Sequence, residues 1–396
     1  VTRLTVDDVY QYIHGVCFKN GPPGVVGAET EWFVTSRADP SAPVPAAHVR
    51  DLMTAAAPPP NGSRLTYEPG GQLELSSAPF PGLAPLHAAL TADIAHVRGA
   101  LAPAGLDLAG YGVDPFRPPR FQAEHPRYLA MRDYYRAGGY AESGADMMCS
   151  TASVQVCVDI GADAADAARR WRLAHALGPV LVAAFANSPV RAGSRTGLRS
   201  TRQAIWTDLD PCRTLPVHRA RAAHPADEWA RYALDARVMV IRTPGGGWRA
   251  DPGMTFAEWL AKGEPGPDDL VYHLSTLFPP VRPRGWLELR MIDALPGPYW
   301  PVPVAVAAAL LDDPRAASAA EAAAEPVAGR WADAARDGLT DPALAVAARG
   351  CFAAALEALP RLGAGLLAPL VEEYAARYVD RGRCPADDVL LEGRTA

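Results

Sequence analysis

Glutamates recur on one face of short alternating segments in this chain, and carboxylates grouped that way are suited to holding cations. In residues 26–34 a two-residue period puts Glu29 and Glu31 on one side, with Ala28, Thr30 and Trp32 on the other. In residues 72–77, Glu74 lies between Gln72 and Ser76, opposite Leu73 and Leu75. Residues 153–160 set Ser153, Gln155, Cys157 and Asp159 against Val154, Val156, Val158 and Ile160. Residues 287–293 place Glu288 and Arg290 together, against Leu287, Leu289 and Met291. A single strand of this kind is explained by an antiparallel sheet with one wet face. A free surface strand, however, tends to use Lys, Thr or Arg, and three of these four segments carry Glu. Clustered carboxylates repel, and in a cleft their pKa values would rise unless a cation intervened. Mg2+ takes carboxylate ligands while keeping waters and substrate phosphates. A face carrying Glu29, Glu31, Glu74 and Glu288, with Gln155 as a neutral oxygen donor, would suit several Mg2+ ions and a bound nucleotide.

Other chemistries find little support. Lys19 and Lys262 are the only lysines, and neither follows the glycine spacing of a P-loop or a kinase-like strand motif. Both have hydrophilic neighbours, unlike a Schiff-base lysine. The six cysteines contain no C-x-x-C, so neither a zinc site nor a disulfide framework is expected. His273, before an apolar stretch, reads as a structural hydrogen-bonder, and Cys157 as a passive half-buried thiol. Tyr134 and Tyr135 read as packing, as does Trp206 on residue type alone.

The elements that would position these groups belong to an α+β chain. Its 396 residues are 49% hydrophobic and 21% charged, values of an ordinary globular protein. A net charge of −6 offers no broad cationic face, so neither nucleic acid nor an anionic membrane is an expected partner. The longest uninterrupted apolar runs, residues 180–186 and 304–311, fall short of the ~18 needed to span a bilayer, so no transmembrane segment is expected. Asp7 and Asp8 stand where a signal peptide would be basic, which makes the cytoplasm the expected location. Leu86, Leu90, Ile94, Val97 and Leu101 form a helical stripe after Pro85. A second helix is predicted over about 165–186, and the chain turns helical after Pro301, with a start at Asp341-Pro342 and a last helix near 366–379. Residues 40–62 read as irregular around a short helix, and residues 242–267, with Gly245-Gly246-Gly247, as irregular.

Several ordered blocks resemble the plant-type and bacterial glutamate-cysteine ligases, most nearly the actinobacterial enzymes that open ergothioneine biosynthesis. They are Gly27-Ala28-Glu29-Thr30-Glu31, the stretch from Tyr67-Glu68-Pro69-Gly70-Gly71 to Ser76, Met147-Met148 through Val156, and Leu287-Glu288-Leu289-Arg290. Ala186-Asn187-Ser188-Pro189, Ser200 to Asp208, Tyr272 to Arg284 and the tail Arg381 to Asp388 extend the likeness over roughly residues 20–390. The resemblance implies a glutamine-synthetase-like antiparallel sheet forming a polar funnel, with helices outside and a helical C-terminal region. It implies one catalytic domain over 1–396, with residues 302–396 mainly helical packing. It also implies ATP-dependent, Mg2+-requiring ligation of L-glutamate to L-cysteine. Carried over residue by residue, it suggests Glu29, Gln155 and Glu288 around one Mg2+, and Glu31, Glu68 and Glu74 around ions nearer the transferring phosphate. The strand phase at Glu68 is broken by Pro69-Gly70-Gly71. Arg290 and Arg202 resemble the arginines that steady the phosphoryl group and a substrate carboxylate, with Thr151, Ser153 and Trp206 as further substrate contacts. Cys157 departs from the pattern, since many relatives carry Asn there. Three other readings stay open at this level: a carboxylate-amine ligase with a different amine or acid, a metal-dependent hydrolase, and a silent binding protein. Nothing in the sequence sets an oligomeric state.

Overall fold

The computed structural model describes residues 3–217, 224–243, 247–249, 251 and 253–392. All four alternating segments become strands of one open antiparallel sheet, because alternation lets each bury one face and wet the other. Its strands are β1 (Val26–Ser36), β2 (Arg64–Tyr67), β3 (Leu73–Ser76), β4 (Leu106–Ala109) and β5 (Ser153–Asp159). Two small hairpins follow, β6 (Val190–Arg191) with β7 (Ser194–Arg195) and β8 (Ile241–Arg242) with β9 (Trp248–Arg249). The sheet is completed by β10 (Val281–Pro283) and β11 (Trp286–Asp293). The strand order is β10-β11-β5-β1-β3-β2, with β4 on the C-terminal part of β1. Register places Glu29 beside Gln155, Glu31 beside Glu74, and Glu288 beside Cys157.

The apolar face is the core. Trp32, Leu73, Leu75, Val156, Leu287 and Leu289 are buried, and the helices Ala164–Phe185 and Pro301–Asp312 pack on the sheet from that side. The stripe after Pro85 forms the helix Leu83–Leu101, with Leu86, Leu90, Ile94, Val97 and Leu101 buried. Helices Pro314–Ala324 and Pro342–Ala358 begin at Asp313 and Asp341, whose carboxylates accept from backbone N–H groups of the first turn. A helix over Ala368–Arg377 matches the expected one near 366–379, but it is not the last. Pro385–Glu392 forms another, tied back by Asp388, which accepts from Arg377, Arg383 and the Tyr378 hydroxyl. At eight residues, with only Ala386, Val389 and Leu390 at helical spacing, it is too short to show a sustained apolar stripe.

Residues 40–62 do hold a short helix, Ala46–Ala55. Within 242–267 the structure places the helix Phe256–Lys262, while Gly245 and Gly246 lie outside the described residues. One stretch among the described residues, Pro342–Arg361, is apolar and long enough on average to cross a membrane, although polar residues interrupt it. In this fold 56% of its apolar window is buried, against helices Pro301–Asp312 and Pro314–Ala324.

Two departures from regular strand geometry shape the polar face. In β11 the register against β5 shifts between Leu289 and Ile292. The bulge brings Asp293 opposite Ser153, on the same face as Glu288, where strict alternation would send it to the core. The second departure is the β2–β3 turn. The Glu68 N–H donates to the Gln72 carbonyl and the Gly71 N–H to the Glu68 carbonyl. Gly71 has φ +91°, and a Cβ on Gly70 would lie 2.2 Å from the Cys149 carbonyl oxygen. The broken phase at Glu68 is thus a tight turn. Replacing Gly70 by Ala is expected to cost about 1–3 kcal/mol in denaturant unfolding, since backbone must move. Gly99→Ala, in a helix with open space around the added methyl, is the control and is expected to lose nothing.

Candidate active site

The polar face of the sheet forms the floor of a cleft of about 420 Å³. Its walls come from the helices Pro126–Ala137, Ala141–Ser150 and Thr201–Asp208 and from segment 275–284. Glu29 and Glu31 enter from β1, Glu74 from β3, Gln155 from β5, Arg290 from β11 and Glu68 from the β2–β3 turn. Thr151, Arg202 and Trp206 line it as well. Of the residues expected at the site, Ser153 and Glu288 do not line the cleft. Ser153 is fully buried opposite Asp293. Glu288, expected on an accessible face, is also fully buried, beneath Arg282, Arg284 and Arg290.

A chain of hydrogen bonds runs across four neighbouring strands. Gln155 Nε2 donates to Glu31 at 3.1 Å, and Gln155 Oε1 accepts from Arg290 Nη1 at 2.5 Å. Arg290 Nη1 also donates to Glu288 Oε2 at 3.0 Å, and Arg282 Nε donates to the same oxygen at 2.6 Å. Glu74 accepts from the Thr66 and Ser76 hydroxyls at 2.8 and 2.9 Å. Gln155 orients its amide by having a carboxylate at one end and a guanidinium at the other, which a second carboxylate could not do.

The electrostatics divide the carboxylates into two kinds. Burial, then Glu288 and Glu74, push Glu29 up to about 8 against the pull of Arg290 and Arg282. Glu31 is raised by burial and Glu74, with Arg202 and Arg290 opposing. Glu68 is raised well above the usual range by burial, Glu74 and Glu31. Burial would raise Glu288 too, but Arg282 and Arg290 outweigh it and hold Glu288 at about 2. Glu29, Glu31 and Glu68 therefore lack the counter-charge they need to stay ionised, the condition under which a cation is taken up in place of a proton. Glu288 is the anchor that keeps two arginines in place.

Arg202 is positioned from below by Asp293. This carboxylate accepts from the Asn187 N–H at 2.9 Å and from the Ser188 and Ser200 hydroxyls at 2.7 and 3.0 Å. Ser188 Oγ in turn accepts from the Arg202 N–H, and Ser200 caps the helix that carries Arg202. Arg202 Nη2 donates to the Arg290 carbonyl at 2.8 Å, while its buried Nε and Nη1 have no partner among the described residues. Room for Asp293 exists because residue 112 is Gly, where a Cβ would lie 2.3 Å from the Asp293 carboxyl carbon.

Arg64, Arg127, Tyr128, Arg282 and Arg284 also belong to the cleft and are absent from the residues expected. Arg282 was legible in principle, because Arg282-Pro283-Arg284-Gly285 is a hairpin that sets a basic residue opposite Glu288. Arg127 is delivered by a helix whose apolar period is weak, and it is held by the Ser275 hydroxyl and carbonyl. His273 is structural as expected: fully buried, hydrogen-bonded to the Ala233 carbonyl and stacked on Phe256. Burial and Arg213 push it down to about 3. Tyr134 and Tyr135 are buried outside the cleft, and Tyr134 donates to Asp210. Cys157 is half-buried and has a ligand atom within 4.8 Å of both Glu29 and Glu288.

The two kinds of carboxylate respond oppositely to removal. Glu29 ionises at about 8 when folded and near 4.5 otherwise, so folding binds a proton and stability falls as pH rises across that window. In divalent-free buffer, Glu29→Gln should melt higher than the parent protein, by a margin that grows from about pH 5 to about pH 8. Glu288, at about 2, stabilises the fold at any pH above 4.5. Glu288→Gln leaves Arg282 and Arg290 short of a buried counter-charge and should lose on the order of 3–5 kcal/mol. A thermal scan series over pH measures both.

The chain matches the family model of glutamate-cysteine ligase family 2 over residues 25–394. It is 44% identical over 400 residues to glutamate–cysteine ligase EgtA of Mycolicibacterium smegmatis, covering 98% of this chain and 92% of that protein. Identity to glutamate–cysteine ligase EgtA of Mycobacterium tuberculosis is 43% over 386 residues, 96% of this chain and 88% of the relative. A chloroplastic glutamate–cysteine ligase of Arabidopsis thaliana is 35% identical over 246 residues, 59% of this chain and 46% of that one. Among solved structures, the glutamate–cysteine ligase of Francisella tularensis in complex with AMP superposes with a TM-score of 0.56 at 12% identity, over 95% of this chain and 86% of that one. The bifunctional glutathione synthetase of Pasteurella multocida gives 0.54 at 15% identity, covering 98% of this chain, which spans about half (52%) of the larger protein. These two likenesses concern the fold alone. With a family match from residue 25 to residue 394 and relatives above 40% identity along nearly its whole length, this chain belongs to glutamate-cysteine ligase family 2.

Proposed function

We propose that this chain joins the side-chain carboxylate of L-glutamate to the amine of L-cysteine at the expense of ATP, giving γ-glutamylcysteine, ADP and phosphate as the first step of ergothioneine biosynthesis. The observation that carries this reading is the cleft floor, where carboxylates short of counter-charge face arginines from neighbouring strands. The family match along the chain supports the same substrates. We read the chain as one catalytic unit in which the helices after residue 301 serve as packing.

A carboxylate is a poor acyl donor at neutral pH, so the glutamate side chain is first phosphorylated and the cysteine amine then displaces phosphate. Such transfer depends on positioning and charge neutralisation rather than on an enzyme nucleophile. The donor set suits hard divalent cations: Glu29, Gln155 and Glu288, the last through Oε1, which has only Arg284 at 3.5 Å, would hold one Mg2+, and Glu31, Glu68 and Glu74 the ions nearer the transferring phosphate. When bound, Mg2+ neutralises phosphate oxygens and so assists transfer. Arg290, fixed by Gln155 and Glu288, presents its guanidinium to the phosphoryl group. Arg202 offers its two free N–H positions to a substrate carboxylate, with Thr151 and Trp206 beside it on the wall. Ser153, one layer down, supports the floor rather than touching substrate.

Glutamate labelled with 18O in its side-chain carboxylate tests the order of these steps. One labelled oxygen per released phosphate is expected, because the amine expels phosphate with that oxygen attached. Label in AMP would mean adenylation, and unlabelled phosphate released without amide formation would mean hydrolysis. Arg202→Lys keeps the charge but loses the planar fork, so KM for an amino-acid substrate should rise more than KM for ATP. A change confined to ATP would move Arg202 to the nucleotide end of the cleft.

A further inference from the structure

Cys157 lies on the polar face of β5, and its surroundings single it out. It stands opposite Glu288 on β11 and opposite Gly27 on β1, so its direct partner on β1 brings no side chain over the thiol. One ligand atom from each of Glu29, Cys157 and Glu288 lies within 4.8 Å of the other two. Neither the Glu29 carboxylate nor the Cys157 thiol has a hydrogen-bond partner among the described residues. Arg282 and Arg290 occupy Glu288 Oε2, whereas Oε1 has only Arg284 Nη1, at 3.5 Å. Three donors from three adjacent strands thus converge, each with a free lone pair.

We infer that Glu29, Cys157 and Glu288 form a mixed oxygen-sulfur cation site, which takes thiophilic divalent ions of the Co2+, Zn2+ and Cd2+ class more tightly than Mg2+. Hard Mg2+ accepts oxygen and refuses sulfur, so it meets two carboxylates here and leaves the thiol protonated. A thiophilic ion recruits the sulfur as a third ligand and releases the thiol proton to solvent. Ligand distances of about 2.0–2.3 Å for Zn2+ require the three donor atoms, now within 4.8 Å of one another, to close around the ion. Such an ion would compete with Mg2+ at this position. The inference rests on the reading of this cleft as cation-binding, and its test requires no turnover, so it can fail while the ligase reading stands.

The experiment titrates the full chain, stripped of divalent ions, with Co2+ and records the near-ultraviolet spectrum. A thiolate-to-Co2+ charge-transfer band that saturates at one ion per chain is expected, since a sulfur ligand produces it and an oxygen ligand does not. Cys157→Ser and Cys157→Asn should each abolish the band and weaken Co2+ binding by about tenfold or more, while changing Mg2+ affinity by less than about twofold. Co2+ bound by the parent protein without the band overturns the proposal whatever the variants do. It is equally overturned by failure to bind Co2+, by a band that survives in folded Cys157→Ser, or by an equal loss of Mg2+ and Co2+ affinity.

Discussion

Negative charge concentrated on one face of a sheet is the constraint around which this molecule is arranged. Glu29, Glu31 and Glu74 come from two adjacent strands, and Glu68 from the turn beside them. Left alone, such a group would repel itself apart or take up protons. The fold answers with arginines on the far side, Arg282 and Arg290, both anchored on a fully buried Glu288. Gln155 stands between the two camps and hydrogen-bonds to each. The floor is therefore graded, from carboxylates short of counter-charge to a carboxylate with one oxygen held by two guanidinium groups. One face thus sets carboxylates short of counter-charge beside guanidinium groups.

Holding that gradient requires a rigid support, and the opposite face of the same strands supplies it. Trp32, Leu73, Val156 and Leu289 are inaccessible to solvent, and helices Leu83–Leu101, Ala164–Phe185 and Pro301–Asp312 pack on β1, β11 and β5 respectively. Because side chains alternate, each buried apolar residue fixes the direction of the polar neighbour before and after it. Among the described residues the C-terminal helices contribute no group to the cleft, and they pack against the helices that back the sheet. A one-residue slip would send the glutamates into the core.

Irregular backbone does the finer placement. The bulge in β11 turns Asp293 to the polar side, where its two oxygens gather Asn187, Ser188 and Ser200 and so set the start of the helix bearing Arg202. The turn at Pro69-Gly70-Gly71 returns Glu68 to the cleft although it lies outside both flanking strands. These features cost regular pairing at two points, and in each case a charged side chain is delivered to a place that a straight strand could not reach.

How much of this was readable from residue order follows from the range of the forces involved. Period-two alternation and the polar face on which Glu29, Glu31, Glu74 and Gln155 sit are local properties, so the strands and their chemistry were evident in the sequence. The helices after Pro85, near 165–186 and from Pro342 were legible for the same reason, as apolar stripes and Asp-Pro starts are local. The ordered blocks identified the family. Long-range pairing was not encoded in any single segment. That Glu288 is buried under arginines, that Asp293 changes face, that Ser153 lies beneath the floor, and that Cys157 rests between Glu29 and Glu288 all depend on which strands become neighbours and in what register. Residue type and spacing determined what each strand could offer. Only the packed sheet decided which charges meet, because electrostatic strength depends on distance and burial, and both are set by residues more than a hundred positions apart.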